Sequence, residues 1–233
     1  MALPFFYISE FDTAQKELML DEETSKHMVQ VLRMKRGEPL NLTDGKGNLI
    51  TASITDDHKK HCTVEVKKTR HKAQDTRRIS VAISLLKNAN RFEWFLEKAT
   101  EIGVTEIIPL ICERTEKEKF RYDRMQGICI SAMLQSQQCW LPVLQDPADL
   151  DKVIKKATAQ QKLIAHCDEG AKTKLTNQLI NQSTIILIGP EGDFTKGEIE
   201  LALENNFIPV TLGETRLRTE TAGVVAATLL CHI

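Results

Sequence analysis

The stretch TIILIGPEGDFTKGEIELA, residues 184–202, decides the fold. Its first five residues are apolar or β-branched and read as a strand buried on both faces. That strand empties into Gly189-Pro190-Glu191-Gly192-Asp193, and a helix follows with Thr195 and Glu198 at capping-box spacing. Strand, glycine loop and helix commonly make a phosphate cradle, yet neither G-x-G-x-x-G nor G-x-x-x-x-G-K-[ST] is present. Pro190 removes one N–H, and Glu191 and Asp193 repel a pyrophosphate. Gly189 and Gly192 still let a ligand approach the backbone closely. The loop therefore suits a ligand that is partly flat and apolar, and neutral or cationic. It speaks against a nucleotide-binding module.

One helix later the plan repeats in VTLGETRLRTETAGVVAA, residues 210–227. A strand ends at Leu212-Gly213, a loop carries Arg216, Arg218 and Glu220, and a helix starts near Thr219. Two loops at the carboxyl ends of parallel strands make a ligand crevice in an open sheet. The helix is built of small residues, Ala222, Gly223, Ala226 and Ala227, which fit an intrachain packing face or a subunit interface, with the interface preferred.

Upstream, RISVAISLL reads as a buried strand and NRFEWFLEKATEIG as a helix with Phe92, Phe95, Leu96, Ala99 and Ile102 on one stripe. Asn90 with Glu93 is the expected cap of that helix, and Gly103 its stop. Strands and helices alternate to the end of the chain, which means a mostly parallel α/β sheet. The first 70 or so residues differ: short strands around Asp-Gly and Lys-Gly turns suggest a small β-barrel. One helix interrupts them, from about Glu22 to Met34, with Met28, Val31 and Leu32 as its apolar face. KKTRHKAQDTRR is the natural linker.

The 233 residues are 42% hydrophobic and 27% charged, an ordinary globular composition with no apolar run of membrane-spanning length and no secretory signal. Six cysteines without a C-x-x-C pair read as buried or incidental thiols in a reducing compartment. His58, His61 and Cys62 lie in a polar stretch and read as a solvated turn, so no metal site is expected. Net charge is −1, but residues 58–78 hold eight Lys/Arg against two acids, and residues 26–37 add Lys26, Arg33, Lys35 and Arg36 with no acid. Such patches fit RNA contact or a solvated face equally.

S-adenosylmethionine meets the loop's requirements: an adenine to sandwich, no phosphates, and a sulfonium that tolerates carboxylates. LIGPEGDFTKGEIELA together with LGETRLRTETA resembles the RsmE family of small-subunit ribosomal RNA uridine-N3 methyltransferases, part of the SPOUT superfamily. HMVQVLRMKRGE, KNANRFEWFLEKATEIGVTEIIPLICERT and SAMLQSQQCWLP extend the likeness over nearly the whole chain. The resemblance implies a PUA-like, RNA-binding β-barrel over residues 1–72 and a SPOUT-type trefoil-knotted α/β domain over 73–233, an exception to the rule against threading. It further implies a cytoplasmic homodimer, S-adenosylmethionine in the knot loops, and 16S rRNA, in the 30S subunit, as substrate. No membrane or metal is expected.

Residue by residue, the cofactor is expected on Ile188, Gly189, Pro190, Glu191, Gly192, Leu212, Gly213, Leu217 and Arg218. Uridine N3 must give its proton to a base, for which Glu191, Glu220 and Glu101 are the candidate carboxylates. Arg218 would stabilise charge on the uracil oxygens, or form a salt bridge to Glu220 or Glu214. Arg218, Glu220 and Glu191 are the expected catalytic residues. Arg91, Lys98 and Glu101 share a polar helix flank that faces RNA or the cofactor edge, or equally is a solvated face, and Arg33 and Arg36 are expected on phosphates. Two positions depart from the family pattern: Asp193 where many members have glycine, and Gln138 where an arginine often follows, its role passing to Arg121 or Arg124. A related transferase acting on ribose 2′-OH or tRNA, and a non-catalytic RNA-binding assembly factor, remain the alternatives.

Overall fold

The structure, a computed structural model, describes residues 3–116, 119–178 and 182–232; the outer ends of the expected domains, at 1 and 233, lie outside them. The chain forms two compact units, Met1–Gln74 with Met133–Leu141, and Asp75–Ala132 with Pro142–Ile233.

In the first unit a curled five-stranded sheet, ordered β1-β3-β4-β5-β2, is made of β1 (Phe5–Tyr7), β2 (Glu17–Met19), β3 (Pro39–Thr43), β4 (Asn48–Asp56) and β5 (Thr63–His71). β1 runs parallel to β3 and the other pairs are antiparallel. Alternate residues Leu40, Leu42, Ile50, Ala52, Ile54 and Val64 point to one side and form the core with Met28 and Cys62. The β3–β4 turn is built on Asp44, whose carboxylate accepts from the N–H groups of Lys46 and Asn48. Residues 139–141 complete that turn. Gly47 N–H donates to the Cys139 carbonyl, Leu141 N–H to the Gly45 carbonyl, and Trp140 Nε1 to the Lys72 carbonyl. A Cβ on Gly47 would sit 2.5 Å from the Trp140 ring.

The helix expected from Glu22 to Met34 is shorter and changes character. Asp21 caps α1 (Glu22–Lys26) through Thr24 N–H, and a π-helical turn, His27–Val31, follows. The wider turn keeps Met28 in the core but carries Val31 and Leu32 to the surface, so the expected stripe is broken. Arg33, at φ +57°, ends the segment.

The second unit carries, among the described residues, an eight-stranded parallel sheet. Its strands are β6 (Ile79–Ser84), β7 (Glu106–Ile111), β8 (Val143–Leu144), β9 (Ala148–Asp149), β10 (Gln161–Ala165), β11 (Thr173–Lys174), β12 (Thr184–Ile188) and β13 (Ile208–Thr211). The order is β11-β13-β10-β12-β6-β7-β8, with β9 also on β7. β12 is buried at all five residues because it lies between β10 and β6. Around the sheet stand α2 (Ala89–Ile102), α3 (Tyr122–Gln135), α4 (Leu150–Lys156), α5 (Lys196–Glu204) and α6 (Thr219–His232).

α2 buries Phe92, Phe95, Leu96 and Ala99 as its stripe demands, and Gly103 ends it at φ +99°. Its cap is Asn88 rather than Asn90, because Asn88 Oδ1 accepts from Asn90 N–H. Glu93 is drawn away to Arg124 by two bonds, Nε to Oε1 at 2.6 Å and Nη2 to Oε2 at 2.9 Å. Arg124 is therefore committed within the protein. The small residues of α6 also pack inside the chain: Gly223, Ala226 and Ala227 are buried, and a Cβ on Gly223 would lie 2.7 Å from both Ile83 and the Phe95 ring. Close approach to α2 and β6 explains them, and that face is not available to a second subunit.

Candidate cofactor and catalytic site

Three neighbouring strands, β13, β10 and β12, end side by side, and the loops that leave them enclose a cavity of about 820 Å³. Two of these loops were legible in the sequence. The third, residues 166–172 after β10, was not, because it holds no glycine pair and no capping signal at its far end. It contributes His166, Cys167 and Lys172.

The β12 loop is held rigidly. Gly189 is buried, and a Cβ there would press on the Phe194 ring at 3.1 Å, tighter than an ordinary contact. Asp193 N–H donates to the Pro190 carbonyl, closing a turn. Thr195 then caps α5 through the full capping box: its Oγ1 accepts from Glu198 N–H, and Glu198 Oε2 accepts from Thr195 N–H at 2.7 Å. The other Glu198 oxygen accepts from Glu113 N–H, and Arg114 Nη1 donates to the Gly192 carbonyl at 2.6 Å, so the 112–115 segment braces the loop from outside. Ile188, Gly189, Pro190 and Glu191 line the cavity, whereas Gly192 faces Arg114 in a smaller adjoining cavity of about 200 Å³.

From the β13 loop come Leu212, Gly213, Leu217 and Arg218. The Arg218 carbonyl accepts from Ala222 N–H and so starts α6. Its guanidinium is exposed and has no ion-pair partner among the described residues; neither Glu214 nor Glu220 takes it.

Glu220, in the first turn of α6, pairs instead with Arg91, in the first turn of α2: Nε to Oε1 is 3.7 Å. The same guanidinium donates from Nη1 to Glu191 Oε1 at 2.9 Å. Arg91 therefore bridges the exposed carboxylate of the β12 loop and a buried one. Glu220 is 7% exposed, and its Oε2 has no hydrogen-bond partner among the described residues. Lys98 and Glu101, expected on the same flank, are bonded to each other two turns further along α2, with Glu97 also on Lys98, and do not line the cavity. Arg33 and Arg36 are exposed on the first unit.

His166 Nδ1 is buried and lacks a partner among the described residues. Burial, with the Lys172 ammonium nearby, pulls its pKa below the usual histidine value against the opposing pull of Asp193 and Asp168. The cavity thus offers backbone and apolar walls, with Glu191, Asp193 and Glu214 beside Arg91, Lys172, Arg216 and Arg218 in its lining. Apolar walls with charges of both signs suit a flat, partly apolar, zwitterionic ligand and fit S-adenosylmethionine. Among the described residues no cluster of potential metal ligands occurs, and no helix is long and apolar enough to cross a membrane. Cys62 and Cys139, like Cys112 and Cys129, are buried, and Cys167 is exposed.

Residues 73–231 match the family described as RNA methyltransferase domain, and residues 20–67 that described as RNA methyltransferase PUA domain, which sets the class. Ribosomal RNA small subunit methyltransferase E of Synechocystis is 30% identical over 86% of this chain and 68% of its own. The Rickettsia conorii protein of the same name is 28% identical over 94% of this chain and 91% of its own. The crystal structure of ribosomal RNA small subunit methyltransferase E from Neisseria gonorrhoeae, bound to S-adenosyl methionine, superposes with a TM-score of 0.87 at 30% identity, covering 97% of this chain and 95% of that one. This chain belongs to the ribosomal RNA small subunit methyltransferase E family.

Proposed function

We propose that this protein methylates N3 of a uridine in 16S rRNA, at the uridine-1498 site of the decoding region. It is an S-adenosylmethionine-dependent ribosomal RNA methyltransferase, and the observation that carries the finer reading is the rim of the cavity. There, a free guanidinium, Arg218, and an exposed carboxylate, Glu191, stand on adjacent loops.

When bound, S-adenosylmethionine supplies an electrophilic methyl group. The contacts that hold it are Ile188, Gly189, Pro190, Glu191, Leu212, Gly213, Leu217 and Arg218, with Gly192 acting through its Arg114-braced carbonyl. Glu191 accepts the N3 proton as N3 bonds to the methyl carbon and the carbon–sulfur bond breaks. Arg218 stabilises the negative charge that spreads onto the uracil oxygens. Glu220, shut away beneath Arg91, orients that arginine and through it Glu191. The first unit serves as the RNA-binding domain, with Arg33 and Arg36 on phosphates, and Lys98 and Glu101 of the second unit stand at the edge of the RNA path. The second threads a trefoil knot through its last loops. A cytoplasmic homodimer acting on the 30S subunit completes the reading.

The test is transfer of labelled methyl from S-adenosylmethionine to unmethylated 30S subunits, with the product nucleoside identified by mass spectrometry. 3-Methyluridine at the expected position supports the proposal. A 2′-O-methyl nucleoside, or labelling of tRNA alone, overturns it while leaving the family intact.

A further inference from the structure

We propose that Asp193 is a positioning residue: it fastens the 189–194 loop to the 166–172 loop and thereby presents His166 to the cofactor as a hydrogen-bonding contact. The inference rests on the S-adenosylmethionine reading above and extends it from Asp193 of the glycine loop to His166, which that pattern does not reach.

Asp193 sits at φ +64°, a left-handed conformation that asparagine and aspartate tolerate better than other side-chain-bearing residues. In that pose its carboxylate turns back over the turn. Oδ1 accepts from Phe194 N–H at 2.8 Å, and Oδ2 accepts from Cys167 N–H at 2.7 Å. One side chain therefore takes up amides from the loops of two adjacent strands, β12 and β10. Bonds from N–H to a carboxylate are charge-assisted and short, and this one fixes the backbone immediately after His166.

Lys172 secures the same loop, since its Nζ donates to the His166 carbonyl at 2.9 Å and to the Asp168 carbonyl at 2.6 Å. His166 is thus gripped at its own carbonyl and at the amide of the next residue. His166 lines the cavity, and its Nδ1 is shut off from solvent without a partner among the described residues, which leaves Nε2 as the ring nitrogen open to a ligand there. A neutral imidazole offers one donor and one acceptor, which suits an uncharged hydroxyl or amine of the cofactor rather than its charged groups.

The experiment pairs calorimetric titration of S-adenosylmethionine with amide hydrogen exchange at Cys167 in the ligand-free protein, for wild type, Asp193→Gly, Asp193→Asn and His166→Ala. Glycine keeps the backbone conformation and loses both bonds; asparagine keeps the conformation and one acceptor oxygen. In Asp193→Gly, Cys167 exchange is expected to accelerate and the Kd to rise about 10-fold, the loss of roughly one good hydrogen bond. Asp193→Asn falls between it and wild type. His166→Ala weakens binding by about the same factor with Cys167 still protected. A protected Cys167 amide in Asp193→Gly overturns the fastening, and wild-type affinity in His166→Ala or Asp193→Gly overturns the contact or its positioning. Failure of wild type to bind S-adenosylmethionine removes the cofactor reading itself, and with it the role of His166.

Discussion

Arg91 Nε stands 3.7 Å from Glu220 Oε1, so the N-terminal turns of α2 and α6 meet around one ion pair. Both helix ends favour a negative charge, which helps to explain why a carboxylate is tolerated there at 7% exposure. Truncating Arg91→Ala leaves that carboxylate buried beside the dipoles alone and is expected to cost about 2–3 kcal/mol in urea unfolding. Adding Glu220→Gln to Arg91→Ala should recover most of the loss. Simple additivity of the two single substitutions would mean the pair is not coupled.

Glycines on two helices should respond in opposite directions. Gly223→Ala drives a methyl group into Ile83 and the Phe95 ring, and is expected to destabilise by about 1–3 kcal/mol. Gly197→Ala on α5 meets no atom within 4 Å and should be neutral or stabilising by up to about 1 kcal/mol. Thermal unfolding of the two variants distinguishes a packing glycine from an incidental one.

Gly192→Val acts through Arg114. The new Cβ lies 3.3 Å from Arg114 Cδ, and displacing that side chain breaks its bond to the Gly192 carbonyl. S-adenosylmethionine binding is expected to weaken about 5-fold, with a similar loss in Arg114→Ala. A double variant should lose little more than either single one. Unchanged affinity in Gly192→Val would take the brace out of the binding loop.

His166 makes stability depend on pH in a known direction. Its folded pKa is lowered, so below the ordinary histidine pKa of about 6.5 the unfolded chain takes up a proton that the folded one resists. The unfolded state then binds more protons, and stability falls as pH drops through that range toward the folded pKa. Comparing wild type with His166→Gln between pH 8 and 5 isolates the effect from the carboxylates. The variant should show the shallower slope.

Glu93 acts in the same direction, in a more acidic range. The bidentate Arg124 guanidinium holds its carboxyl below the usual glutamate range, against a smaller opposing effect of burial. Stability from this pair is present above the unfolded glutamate pKa and lost as pH falls through the folded one. Because the arginine is more than half exposed, Arg124→Ala should lower stability only slightly at pH 7, and less near pH 3.

Local chemistry made much of this protein legible in its sequence. Thr184–Ile188 could only be a strand covered on both faces, and the Thr195–Glu198 pair declared the helix that follows. What escaped depended on partners distant along the chain. Asn90 and Glu93 have capping-box spacing, but Arg124 outcompetes the backbone for Glu93. Small residues on α6 look alike whether their neighbour is another subunit or Phe95. Gly192 belongs to the binding loop, but which side of that loop it faces is set by Arg114. His166 carried no signal at all until β10 was placed between β12 and β13.

The β3–β4 turn has one more consequence. Its backbone bonds are completed by Cys139 and Leu141, and Trp140 fills the space beside Gly47. During synthesis the amino-terminal sheet therefore leaves the ribosome unfinished, and stays so until about 70 further residues, through Leu141, have followed it out. A fragment cut at the linker would carry an incomplete turn, so the first unit is closed only after much of the second unit's chain has been made.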